Sequence, residues 1–298
     1  MENRRYDYQP IIKRKPIQWP DGARVALWVC PNIEFFHIDK PLPRFAGDHL
    51  PDIMAYSLRD YGSRIGVFRL MDVLDKHGMR ASVLLNAEVC QHQPVIIEEG
   101  NKRNWEWLGH GITNNLRMSQ YPPGEERKVI REVREIITAS TGKAPKGWLG
   151  PGLAETFNTP DHLAAEGFEY LCDWGCDDQP VAMRVRSGRM IVVPYQQGIN
   201  DISIFIEANH TPEQYLRIVC DQFDTLYREA EKSGRVMAMP LHPYITGLPF
   251  RIKYLDRALE HICSHKGVWK ATAWEIADWY YQHYYENPGR FEGEIPGP

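Results

Sequence analysis

The chain has no apolar run approaching the roughly 20 residues that a membrane-spanning helix needs. Its opening, M-E-N-R-R-Y-D-Y-Q-P, contains no hydrophobic leader. A membrane partner is therefore not expected, and a cytoplasmic location is. Positive charge is not in excess either. The 35 Lys and Arg face 39 Asp and Glu, for a net charge of −4, so nucleic acid is not an expected partner. Cysteine is sparse and scattered. Cys172 and Cys176 have three residues between them, which is not the paired spacing of a structural zinc ribbon, and the six thiols read as reduced and buried. No glycine-rich phosphate loop follows the first apolar run, which weakens any nucleotide-binding reading.

What is present is a long alternation of strand and helix patterns over 298 residues. Val25–Cys30 is a continuous apolar run, the mark of a strand buried on both faces. Residues 38–63 read as a long covering loop. Val67, Leu70, Met71 and Leu74 repeat at helical spacing, and Gly78 supplies the stop. Further strands are expected at 81–86, up to His110, at 147–149, 170–174, 190–194, 202–206 and 236–242. Helices are expected at 94–102, 125–139, 159–167, 212–232, 250–265 and 273–285. Alternation of this kind predicts a parallel α/β architecture of about seven units, near the number that closes a barrel. The expected organisation is an arm over 1–23, one catalytic domain over 24–287 and a frayed tail over 288–298.

In such folds the carboxyl ends of the strands make the active site. Five of them carry polar groups or a glycine turn: Glu34; His110 with Asn114; Gly150-Pro151-Gly152; Asp173 with Asp177 and Asp178; and His242. Singly, each has an ordinary explanation as an ion pair, a cap or a packed imidazole. Their convergence on one rim favours function. His110 is flanked by Gly109 and Gly111, which permit close approach of backbone or ligand.

These motifs, with the lead-in W-P-D-G-A-R-V-A-L-W-V and the closing L-H-P-Y-I-T-G-L-P-F-R, resemble the NodB-type polysaccharide deacetylase family. Within it they resemble the PuuE-like branch of metal-independent allantoinases and cyclic imide hydrolases. The resemblance runs from about Trp19 to Tyr285 and implies a distorted (β/α)7 barrel. The family's T-F-D-D-G motif, which provides a general base and a metal ligand, corresponds to Asn32-Ile33-Glu34-Phe35-Phe36. Glu34 falls on the base position and Phe35 on the ligand position. Its H-S-x-x-H motif corresponds to His110-Gly111-Ile112-Thr113-Asn114, so the second histidine is Asn114. Its R-x-P-x-G motif corresponds to Leu149-Gly150-Pro151-Gly152-Leu153, without the arginine. Leu241-His242 places the general acid at His242.

Of the three family ligands only His110 survives, so no cofactor is expected. The expected activity is hydrolysis of a non-peptide C–N bond, the ring-opening of a small cyclic imide or ureide by acid–base catalysis. Glu34, raised in pKa by Ile33 and Phe35, would activate water. His110 would orient it or polarise the carbonyl, and His242 would protonate the leaving nitrogen. Asn114 and Asp177 would hold the ring's polar edges, Trp148 and Trp174 would wall it, and backbone N–H groups of Gly150–Gly152 would form the oxyanion site. Two other readings stand beside this one. The first is a deacetylase of N-acetyl sugars using zinc or another divalent metal, with Glu34, His110 and Asn114 (or a rearranged His242) as ligands. The second is a barrel that binds without catalysis. A homodimer or homotetramer is the expected assembly.

Overall fold

The computed structural model describes residues 3–42, 50–122 and 124–292. Strand β1 (Val25–Ile33) is buried at all nine of its positions. Alternate residues explain why. Val25, Leu27 and Val29 join the layer beneath the helices. Ala26, Trp28 and Cys30 point the other way, into a second cluster with Leu84, Leu108, Cys172, Val193 and Ala238. That second cluster is the interior of a distorted α/β barrel.

β1 pairs in parallel with β8 (Arg235–Leu241) on one side. On the other it meets β2 (Ser82–Leu85) at its carboxyl end and β9 (Val268–Lys270) at its amino end. The parallel order continues from β2 through β3 (Glu106–Gly109), β4 (Gly147–Trp148) and β5 (Tyr170–Leu171) to β7 (Met190–Val192). An antiparallel edge strand, β6 (Val181–Met183), follows β7. Helices α1 (Ile53–Tyr61), α2 (Val67–Lys76), α3 (Ala87–His92), α4 (Pro94–Lys102), α5 (Glu126–Thr141), α6 (Thr159–Ala165), α7 (Pro212–Glu229), α8 (Ile252–Cys263) and α9 (Ala273–His283) occupy the connections and the closing segment. None of them is long and apolar enough to cross a membrane.

The ladder does not run between β8 and the β6–β7 edge. A side chain bridges the gap instead. Gln196 donates from Nε2 to the Val236 carbonyl at 2.9 Å and accepts at Oε1 from the Ala238 N–H at 2.5 Å. Beside it the Val236 N–H donates to the Asp178 carbonyl at 2.8 Å. At the amino ends of the strands, Glu106 accepts from the Ser82 hydroxyl (2.7 Å), the Tyr170 hydroxyl (2.5 Å) and the Trp274 N–H (3.0 Å). This polar plug closes the floor.

Several expectations are corrected. The stretch 38–63 is not all loop: α1 begins after Asp52, whose side chain accepts from the Ala55 N–H. Residues 43–49 of it lie outside the described residues. The expected strand at 202–206 is a π-helical turn, Ser203–Glu207. The Asn200 side chain and carbonyl take the Ile202 and Ile204 N–H groups there, so the apolar alternation packs as one wide turn. The arm is anchored by Arg5, ion-paired with Asp161 at 2.8 Å, and by buried Trp19. Residues 288–292 of the expected frayed tail are also tied down. The Phe291 N–H donates to the Val185 carbonyl, and Arg184 donates to the Pro288 carbonyl. Residues 293–298 lie outside the described residues.

Candidate active site

Strand parity builds the site. On β1 the inward series 26, 28, 30 continues to Asn32 and Glu34. On β3 it runs from Leu108 to His110, and on β8 from Ala238 to His242. All three groups arrive at the carboxyl rim around one cavity of about 60 Å³, which Asn114, Pro151 and Gly152 also line. That volume holds roughly five water molecules, so it suits a single small ring.

Glu34 lies between the two imidazoles. Its Oε1 is 3.6 Å from His110 Nε2 and 3.7 Å from His242 Nε2, and it accepts from Asn114 Nδ2 at 2.8 Å. The other side of each imidazole is fixed. His110 Nδ1 lies 2.5 Å from the Leu149 carbonyl. A carbonyl only accepts, so Nδ1 carries a proton and Nε2 is the ring atom turned to the cavity. His242 Nδ1 meets Asp201 Oδ1 at 2.6 Å, while Asp201 Oδ2 accepts from the His242 N–H and the Thr246 hydroxyl, each at 2.6 Å. This buried carboxylate stabilises a protonated His242. Asn86 ties β1 to β3: its Oδ1 accepts the Phe35 N–H at 2.9 Å and its Nδ2 donates to the His110 carbonyl. Gly111 (φ 71°) turns the chain here, and a Cβ on it would lie 2.9 Å from Pro151.

Burial alone would raise the Glu34 pKa. The nearby imidazoles of His110 and His242 and the charge of Arg59 outweigh it, so the net shift is downward. The expectation of a raised pKa is thereby corrected. Ile33 and Phe35 point away from the cavity by parity, and the imidazoles that surround Glu34 come from strands distant in sequence.

Four further expectations fail on position. Trp148 is fully buried edge-to-face on Phe168, because β4 turns Leu149 inward and Trp148 toward the helices. Trp174 donates to Glu155 at 2.9 Å, and Asp177 is ion-paired with Arg14 at 2.5 Å. Neither lines the cavity. Nor does Gly150, whose N–H is occupied by Asp173 Oδ1 at 2.8 Å and so does not serve an oxyanion. Sequence reasoning missed Asp201, Asn86, Asn32 and Arg59. Asn32 was legible from the β1 parity that selects Glu34. Asp201 was hidden because 202–206 read as a strand.

Glu34 Oε2, His110 Nε2 and Asn114 Oδ1 are buried in the cavity wall without hydrogen-bond partners. As a metal site of the family type this set fits poorly. It has one imidazole, one neutral amide oxygen and one carboxylate whose Oε1 already holds Asn114. Among the described residues, the trio of His and acidic side chains whose ligand atoms gather within 4.8 Å is Asp224 on α7, His261 on α8 and His265 just beyond it, and not Glu34, His110 and His242. Three buried polar atoms without partners match a water molecule or a substrate amide.

Residues 49–171 match the polysaccharide deacetylase family model. A putative polysaccharide deacetylase of Schizosaccharomyces pombe is 25% identical over 290 residues, covering 89% of this chain and 88% of that protein. Among solved structures, PuuE allantoinase superposes with a TM-score of 0.82 at 25% identity, over 93% of this chain and 99% of that one. A probable polysaccharide deacetylase from Pseudomonas aeruginosa PAO1 gives 0.81 at 26% identity, over 93% and 98%. The fold is the NodB-type (β/α) barrel of these neighbours.

Proposed function

We propose hydrolysis of a non-peptide C–N bond in a small ring, the opening of a cyclic imide or ureide without a metal, by a chain part of which matches the polysaccharide deacetylase family model. The observation that carries this reading is Glu34 held between two imidazoles, one turning Nε2 to the cavity and one backed by Asp201. A likeness to a structure named as an allantoinase supports it.

Water bound by Glu34 Oε2 and His110 Nε2 attacks the ring carbonyl, and its proton passes to Glu34. As the C–N bond breaks, His242 Nε2 gives its proton to the leaving nitrogen. Glu34 Oε1, 3.7 Å from His242 Nε2, then returns the captured proton and resets both groups. The guanidinium of Arg59 lies over the rings of Phe36 (4.6 Å) and Tyr244 (5.4 Å) in the cavity wall. It supplies fixed positive charge for the developing oxyanion. An imide or ureide nitrogen leaves as a stabilised anion, so acid–base catalysis worth roughly two to four orders of magnitude per group is sufficient.

The test is a turnover screen with succinimide, hydantoin, allantoin and dihydrouracil, before and after exhaustive chelation. Chelated protein should open at least one of these rings at an unchanged rate. Glu34→Gln should fold normally by circular dichroism and lose about 10²- to 10⁴-fold in kcat. Stoichiometric bound metal with loss of activity on chelation would refute the proposal, as would wild-type turnover by the Gln variant.

A further inference from the structure

Arg117 stands at the mouth of the cavity. Its backbone is fixed by a tight turn: Arg117 N–H donates to Gln120 Oε1 at 2.8 Å, Gln120 N–H returns to the Arg117 carbonyl at 3.0 Å, and the intervening Met118 is fully buried. The side chain leans across Gly152. A Cβ built there would lie 3.0 Å from Arg117 Nε, and Gly152 has a φ of 67°. Glycine at 152 therefore makes room for the guanidinium over the mouth. Arg103, Arg127, Arg131, Arg184 and Arg189 each pair with a carboxylate. Among the described residues, no such ion pair is formed by Arg117. Among the described residues, the only carboxylate lining the cavity is Glu34, which is enclosed by His110, His242 and Asn114.

We propose that Arg117 is a substrate-binding residue that takes a carboxylate carried outside the ring, and that the substrate is an anionic cyclic imide or ureide. This rests on the ring-opening reading above. A guanidinium presents a planar fork of donors that matches a carboxylate in two parallel bonds. Arg59 adds a second positive charge to the same wall, so an anionic ligand is drawn inward while its ring meets Glu34 and His110.

The experiment compares hydantoin with hydantoin bearing a carboxymethyl substituent, in turnover and in calorimetric binding. Binding is measured on the Glu34→Gln protein, where the ring stays closed. The carboxymethyl ring should bind about ten-fold more tightly than the parent ring at low salt. Arg117→Met should erase that difference through KM, and Arg117→Lys should keep part of it. An unchanged preference in Arg117→Met overturns the proposal, as does equal binding of the two rings by the Glu34→Gln protein. If neither ring is opened yet the Arg117-dependent binding preference persists, the reaction is misassigned and the subsite stands. If both rings open and the preference ignores Arg117, the subsite falls and the reaction stands.

Discussion

Glu34 shows how far one side chain is set by its neighbours. Its chain neighbours, Ile33 and Phe35, suggest an apolar pocket and a weak acid. Its neighbours in space are His110, His242 and Asn114, which hold the carboxylate ionised. An ionised Glu34 is the working form of a general base. Its lowered folded pKa keeps that form present to below 4.5, the ordinary glutamate value, and the form is lost only as pH falls through the shifted value. The acid limb of a kcat/KM profile should therefore lie below 4.5, provided no other group fails first. A limb near neutrality that vanishes in Glu34→Gln would contradict this assignment.

At the scale of one element, the β4–α6 loop is hung on a second pair of acids. Asp173 Oδ1 accepts the Gly150 N–H and Glu155 Oε2 accepts the Trp174 indole. The remaining oxygens, Asp173 Oδ2 and Glu155 Oε1, are buried with no donor. Two buried carboxylates in this state need a shared proton. Burial accordingly pushes Glu155 up to about 7, and burial together with the Glu155 charge raises Asp173 strongly. A carboxyl whose folded pKa is raised stabilises the protein at low pH, and that stability is lost as pH rises through the folded value. Wild-type Tm should fall between about pH 5 and 8. Glu155→Gln, which supplies a permanent donor, should flatten the fall. Glu106 and Asp178 are shifted in the same direction, so the measured quantity is the difference between wild type and variant in thermal melts at the two pH values. Parallel curves would show that the pair shares no proton.

At the scale of the molecule, closure of the barrel depends on Gln196. Its amide stands in for a strand backbone against Val236 and Ala238. Gln196→Ala would strand a buried carbonyl and a buried N–H on β8, at a cost of roughly 2 to 5 kcal/mol. Urea denaturation should show a lowered midpoint with a similar slope. Because β8 carries His242 to the rim, kcat should drop as well. Full stability in this variant would mean that the Val236–Asp178 backbone bond and the shared interior suffice for closure.

The sequence by itself determined the alternation of strand and helix, the depth of β1, the helical face of α2 and the arrival of Glu34, His110 and His242 at strand ends. These follow from local periodicity and from turn residues, which act over a few residues. It did not determine which aromatic faced the cavity, because Trp148 sits on a two-residue strand too short to show its parity. It did not disclose Asp201, whose role depends on a His242 that is 41 residues away. The ionised state of Glu34, the raised pKa values of Glu155 and Asp173, and the closure through Gln196 were likewise decided only by tertiary structure. Each depends on desolvation and on partners brought together from separate strands, and no local pattern in a chain encodes either.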